Sequence, residues 1–255
     1  MFTVVVGASA LIFALHYYVE WRRGRQASEA VAAAFAASYS NHAFIGLPVC
    51  LAVLGAASLA PAAVAMALNS IIIFGIGTLL SVLTGKALAQ QGKGAEQSRG
   101  RAIRTALWLV VRNPLVIGSV GGAAVAFVNI SLPQPVDKFL EMVGATTAPA
   151  ALIAVGLFMA RPVPKAAGSG ATMRSVAGKL LLMPLVTLGL LWALPPLPLV
   201  WQQTALIMAA LPSGAGCIAL ARYGGDDALR MSARIIAIST LFAAVTLPLL
   251  LLAMG

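Results

Sequence analysis

Eight apolar stretches, each near the roughly 20 residues an α-helix needs to cross a bilayer, occupy most of this chain. They run approximately over 2–20, 29–54, 61–84, 106–129, 139–160, 176–194, 201–221 and 235–254. Only 9% of residues are charged, 60% are apolar and the mean hydropathy is +0.95. That composition excludes a disordered chain, a coiled coil and a compact soluble enzyme. The expected fold class is therefore all-α, a polytopic membrane protein. The two cysteines cannot form a disulfide framework.

A net charge of +10 would suggest nucleic acid in a soluble protein, so the placement of the charges decides. They alternate from loop to loop. Arg22, Arg23 and Arg25 follow the first window, and Lys86, Lys93, Arg99, Arg101 and Arg104 follow the third. Arg161, Lys165, Arg174 and Lys179 bracket the loop after the fifth, and Arg222, Arg230 and Arg234 the loop after the seventh. Residues 55–60 and 195–200 carry no charge. The positive-inside rule makes the basic loops cytoplasmic and places both termini outside. Of the basic residues, only Lys138 and Arg112 escape this pattern. Anionic lipid headgroups are a sufficient partner, and no nucleic acid is expected.

Met1, Phe2 and Thr3 carry no side-chain positive charge, so the first window is not expected to be a cleaved signal. The polar stretch 86–104 reads as a cytoplasmic linker. The expected organisation is a first half-repeat over 1–85, the linker 86–104, scaffold helices over 105–162 and a second half-repeat over 163–255.

Two windows contain breakers near their middle. The second holds Ser40-Asn41-His42-Ala43-Phe44-Ile45-Gly46-Leu47-Pro48, and the seventh Leu211-Pro212-Ser213-Gly214-Ala215-Gly216-Cys217. Proline removes an amide donor and glycine admits non-helical dihedrals, so each motif is a place where the helix can unwind. Within a bilayer such backbone is tolerated only where protein or a water-filled cavity satisfies it. The breaks lie five windows apart, so the second enters the membrane in the opposite sense, as in an inverted repeat. If the seventh window is fourth of a set of five, the second is fourth of another, and two helices are expected ahead of the first.

A broken helix directs amide donors from one half and carbonyls from the other into the membrane centre, so an anion can meet the first and a cation the second. Ser40, Asn41, His42, Gly46, Pro48, Pro212, Ser213 and Gly214 are the candidate residues of the breaks, joined by Asn69. Asn69 equally suits an interhelical hydrogen bond. No Asp or Glu falls at the expected hydrocarbon centre, which argues against a carboxylate proton relay and favours an anionic or neutral substrate. Ion coupling would use carbonyls, Asn41 and Ser213 for sodium, or His42 for protons. His16 and Glu20, four residues apart, read as an interfacial pair. No nucleotide, zinc or EF-hand motif occurs, so no cofactor is expected.

The runs SNHAFIGLPV and LPSGAGCIALARYGGD resemble the two crossovers of the auxin efflux carrier family of bacterial and plant permeases, which includes proteins regarded as malonate transporters. Arg112-Asn113-Pro114-Leu115 and APAALIAVGLFMA, residues 148–160, are similar to that family too. His42 departs from its pattern. The resemblance implies ten helices in two inverted repeats and an elevator-like movement of a crossover domain against a scaffold. It further implies a small mono- or dicarboxylate as substrate, a homodimer through the scaffold, and the bacterial cytoplasmic membrane as location. Two other functions compete: an intramembrane hydrolase with Ser213 as nucleophile and His42 as base, and a shortened membrane protein that transports nothing.

Overall fold

The computed structural model describes residues 1–84, 114–128, 131–146 and 169–254, with isolated positions between them. The expected linker 86–104 falls almost wholly outside the described residues, and the scaffold windows 106–129 and 139–160 partly so. Among the described residues are ten helical segments. They are α1 (Phe2–Arg22), α2 (Ala27–Ser38), α3 (His42–Leu54), α4 (Ala56–Thr84), α5 (Pro114–Phe127), α6 (Gln134–Ala145), α7 (Gly170–Ala193), α8 (Leu199–Ala210), α9 (Gly216–Ala221) and α10 (Asp226–Met254). Four of them, α1, α4, α7 and α10, are long and apolar enough to cross a membrane. The same order occurs twice among the described residues: a long helix, a broken pair, a long helix.

The second break falls at Pro212 and Gly214, whereas the first falls at Tyr39–Asn41, ahead of Gly46 and Pro48, which lie inside α3. After Ser38 the chain is extended at Tyr39, and α3 opens with a wide turn in which the Gly46 amide reaches back five residues to the Asn41 carbonyl, at 3.1 Å. Leu211 is extended after α8, and the chain re-enters helix at Gly216.

The innermost helix is α2. Its run Ala30-Val31-Ala32-Ala33-Ala34-Phe35-Ala36-Ala37-Ser38 is buried on every side. Small side chains let neighbouring backbones approach, and that is how a helix packs in lipid, where apolar burial gives no net drive. Phe35 is the one large residue of the run; it stacks on Tyr39 at 4.7 Å between ring centroids and meets Phe74 edge-on. On the far side of the crossing, Cys50, Ala62, Ile207, Leu211 and Leu247 form a second apolar cluster. Cys50 and Cys217 are both buried free thiols.

Helices α7 and α10 begin well ahead of their apolar windows. Helix α10 starts at Asp226, not 235, because Asp226 and Asp227 sit favourably at its positive end and its first turns carry Arg230 and Arg234. Helix α7 starts ahead of 176, and its extra residues include Arg174. That shift corrects the reading of Lys179, which the charge pattern sets beside a loop. Lys179 instead lies well inside α7 and is fully buried.

The pairing of His16 with Glu20 is also replaced. His16 Nε2 donates to the Arg174 carbonyl at 3.0 Å. Glu20, fully buried, accepts a two-pronged Arg174 guanidinium at 2.7 and 2.9 Å and the Arg25 Nε at 2.9 Å; Arg25 also reaches Glu29. This network ties α1 to α7 at the end of α1 away from Met1.

Candidate functional site: the crossing of two broken helices

Ser40 and Ser213 face each other as an isolated antiparallel bridge, where the extended segments of the two breaks cross. The Asn41 amide donates to the Pro212 carbonyl at 3.0 Å, and the Gly214 amide to the Tyr39 carbonyl at 2.9 Å. Two backbones come this close only because position 214 has no side chain. A Cβ there would lie 2.7 Å from the Tyr39 ring and 3.0 Å from the Ser40 carbonyl oxygen. Gly46 plays a similar part against Met208 and Leu211, with a Cβ at 2.6 Å from each side chain.

Each crossing segment is clasped from the long helix that follows it in sequence. Asn69, in α4, donates through Nδ2 to the Ser40 carbonyl at 3.2 Å. Ser239, in α10, accepts the Ser213 amide at 3.1 Å. The carbonyl ends of α2 and α8 need donors because the breaks have taken theirs away. Ser213 Oγ donates to the Ala36 carbonyl at 2.6 Å and closes the end of α2. At the end of α8, Pro212 has no amide to offer Met208, and the His42 imidazole faces that carbonyl along with that of Ala65. The Ser213 amide has gone to Ser239, so the Ala209 carbonyl lacks its helical donor too. Lys179 Nζ fills that place at 2.7 Å.

A cavity of about 180 Å³ opens beside the crossing. Tyr39, Phe44, Met66 and Phe74 give it apolar walls, and Ser40, Asn41, His42, Asn69, Ser70 and the backbone of Gly214–Gly216 give it polar ones. Three of its polar atoms are buried without a hydrogen-bond partner: Ser40 Oγ, His42 Nδ1 and Asn69 Oδ1. Buried polar groups are nearly always paired, so three unpaired atoms on one small cavity point to a polar occupant.

The structure thus brings Ser40, Asn41, His42, Asn69 and Gly214 to one cavity. Gly46, Pro48, Pro212 and Ser213 are not among its lining residues; Gly46, Pro212 and Ser213 build the crossing itself. Ser213 Oγ is committed to Ala36, which leaves it poorly placed to serve as a nucleophile for His42. Sequence reasoning missed Tyr39, Phe74 and Lys179. For Lys179 a signal existed: an ionisable residue within a membrane helix is a functional candidate by default.

A family model described as "Membrane transport protein" matches residues 1–251. The chain belongs to this family of membrane transport proteins. The family assignment agrees with the resemblance to the auxin efflux carriers and indicates a membrane transporter rather than an enzyme. The chain is also similar to a protein of Rhizobium meliloti (strain 1021) named "Putative malonate transporter", with 28% identity over 246 residues, covering 94% of this chain and 72% of that protein.

Proposed function

We propose that this protein is a secondary transporter of small organic anions, with the cavity at the crossing as its binding site. The observation that carries this reading is the set of unpartnered atoms Ser40 Oγ, His42 Nδ1 and Asn69 Oδ1 around 180 Å³ of space. That space equals about six water molecules in volume. A compact carboxylic acid fits it. The Ser40 hydroxyl can donate to a carboxylate, while Asn69 Oδ1 and His42 Nδ1, the acceptor nitrogen of a neutral imidazole whose Nε2–H faces the carbonyls, can accept from a protonated carboxyl or a hydroxyl. Tyr39, Phe44 and Phe74 suit the carbon skeleton. The name of the similar protein supports malonate as the first substrate to try.

Alternating access follows if the two broken pairs with α1, α4, α7 and α10 move as one body against α5 and α6. The clasps from Asn69 and Ser239 hold the crossing together during such a movement, and α5 and α6 are largely exposed. In this reading the basic loops face the cytoplasm, so both termini lie on the outer face of a bacterial cytoplasmic membrane and the Glu20–Arg174 network on the inner side.

The test is uptake of labelled malonate by liposomes containing the purified chain. Saturable uptake, competed by other small dicarboxylates or monocarboxylates and lost in Asn69→Asp, is the expected result. Asn69→Asp keeps the side-chain shape while placing a negative charge on the anion's site. Uptake in Asn69→Asp equal to wild type would remove the cavity from the transport path.

A further inference from the structure

The carbonyl end of a broken helix attracts a cation, and in this crossing one is already built in. Helix α8 ends at Ala210, and its dipole brings partial negative charge to the crossing. The Ala209 carbonyl there receives Lys179 Nζ at 2.7 Å. Lys179 is the tenth residue of the 24-residue span α7, so it lies near mid-membrane, and it is fully buried. Among the described residues no carboxylate pairs with it. The ionisable groups that face it are His42, on the cavity wall, and Cys217 in α9.

A helix-end carbonyl does not require a charged donor. At the matching end of α2, the neutral Ser213 hydroxyl satisfies Ala36. Burying a lysine in a membrane is costly, and such residues mark ion and substrate pathways. The difference between the two ends is therefore the charge itself.

We propose that Lys179 is a tethered cation, occupying at the carbonyl end of α8 the position where a free coupling cation would otherwise bind. The substrate anion then meets fixed positive charge within the crossing and needs no sodium or potassium to accompany it. This rests on the reading of the crossing as a transport site, but its test does not depend on transport.

The experiment compares thermal unfolding of the full chain in detergent in about 0.2 M sodium, potassium or choline chloride, with binding of radioactive sodium measured in parallel. Wild type is expected to unfold at the same temperature in all three salts and to bind no sodium. Lys179→Ala, with the ammonium gone and the Ala209 carbonyl uncapped, should gain about 3 °C or more in sodium or potassium over choline. Lys179→Arg should be as indifferent as wild type, and Lys179→Met, which fills the space with an apolar chain, should gain nothing. Lys179→Ser serves in the same comparison if the alanine variant does not fold in any of the salts. Sodium binding by wild type, or a folded Lys179→Ala or Lys179→Ser without a cation response, overturns the proposal. Failure of malonate uptake with these salt responses intact would instead overturn the transport reading alone.

Discussion

Ser40 and Ser213 oppose each other at the crossing, yet their hydroxyls have different tasks, and alanine substitution should separate them. Ser213 Oγ donates to the buried Ala36 carbonyl at 2.6 Å. Ser213→Ala strands that carbonyl without a donor, a loss of about 1–3 kcal/mol. For a chain of this size that lowers Tm by about 3–10 °C. Ser40 Oγ has no protein partner, so Ser40→Ala should change stability by no more than about 0.5 kcal/mol. Its effect belongs to the substrate instead. A hydrogen bond to a charged carboxylate is worth about 1.5–3 kcal/mol, which raises KM or Kd by about 10- to 100-fold. Thermal unfolding in detergent and malonate uptake by liposomes, both on the same preparations, give the two readouts. The reasoning is refuted if the two variants lose equal stability, or if Ser40→Ala keeps its affinity while Ser213→Ala loses it without unfolding.

Further expectations follow from the same contacts. Gly214→Ala places a Cβ against the Tyr39 ring and the Ser40 carbonyl, so it should cost about 1–3 kcal/mol in thermal unfolding and abolish uptake by displacing the crossing. Phe74→Ala enlarges the cavity on its apolar side, so uptake competition should shift toward bulkier acids, while smaller ones bind less well. Glu20→Gln removes the charge that holds Arg174 and Arg25, and should lower stability by about 1–3 kcal/mol, most visibly at low salt, with KM for malonate nearly unchanged.

The crossing was legible because its causes are local. Pro212 removes an amide and Gly214 a side chain at the second break itself, and Gly46 and Pro48 lie a few residues beyond the first, so the breaks can be placed from sequence to within a few residues. Asn41 and His42 could be nominated because they lie inside a break. Which polar atoms would be left free could not be read, since that depends on partners distant in sequence. Ser213 and Ala36 are brought together across 177 residues, and Glu20 and Arg174 across 154. The same limit explains His16, whose neighbour four residues on looks like a partner until Arg174 arrives from the other half of the chain. Lys179 was misplaced for a different reason. Hydropathy windows end at charges, so a lysine inside a span is pushed to its edge, and only packing against α8 reveals that it belongs to the interior.

The central claim is that the cavity beside the Ser40–Ser213 crossing binds a small organic anion and carries it across the membrane. Labelled malonate uptake into liposomes by wild type and by folded Asn69→Asp tests it most directly. The account predicts saturable uptake by wild type and at least a tenfold loss, on the order of the binding difference argued for Ser40, in the variant. Equal uptake by the two proteins, or no saturable uptake of any small mono- or dicarboxylate by wild type, would contradict it.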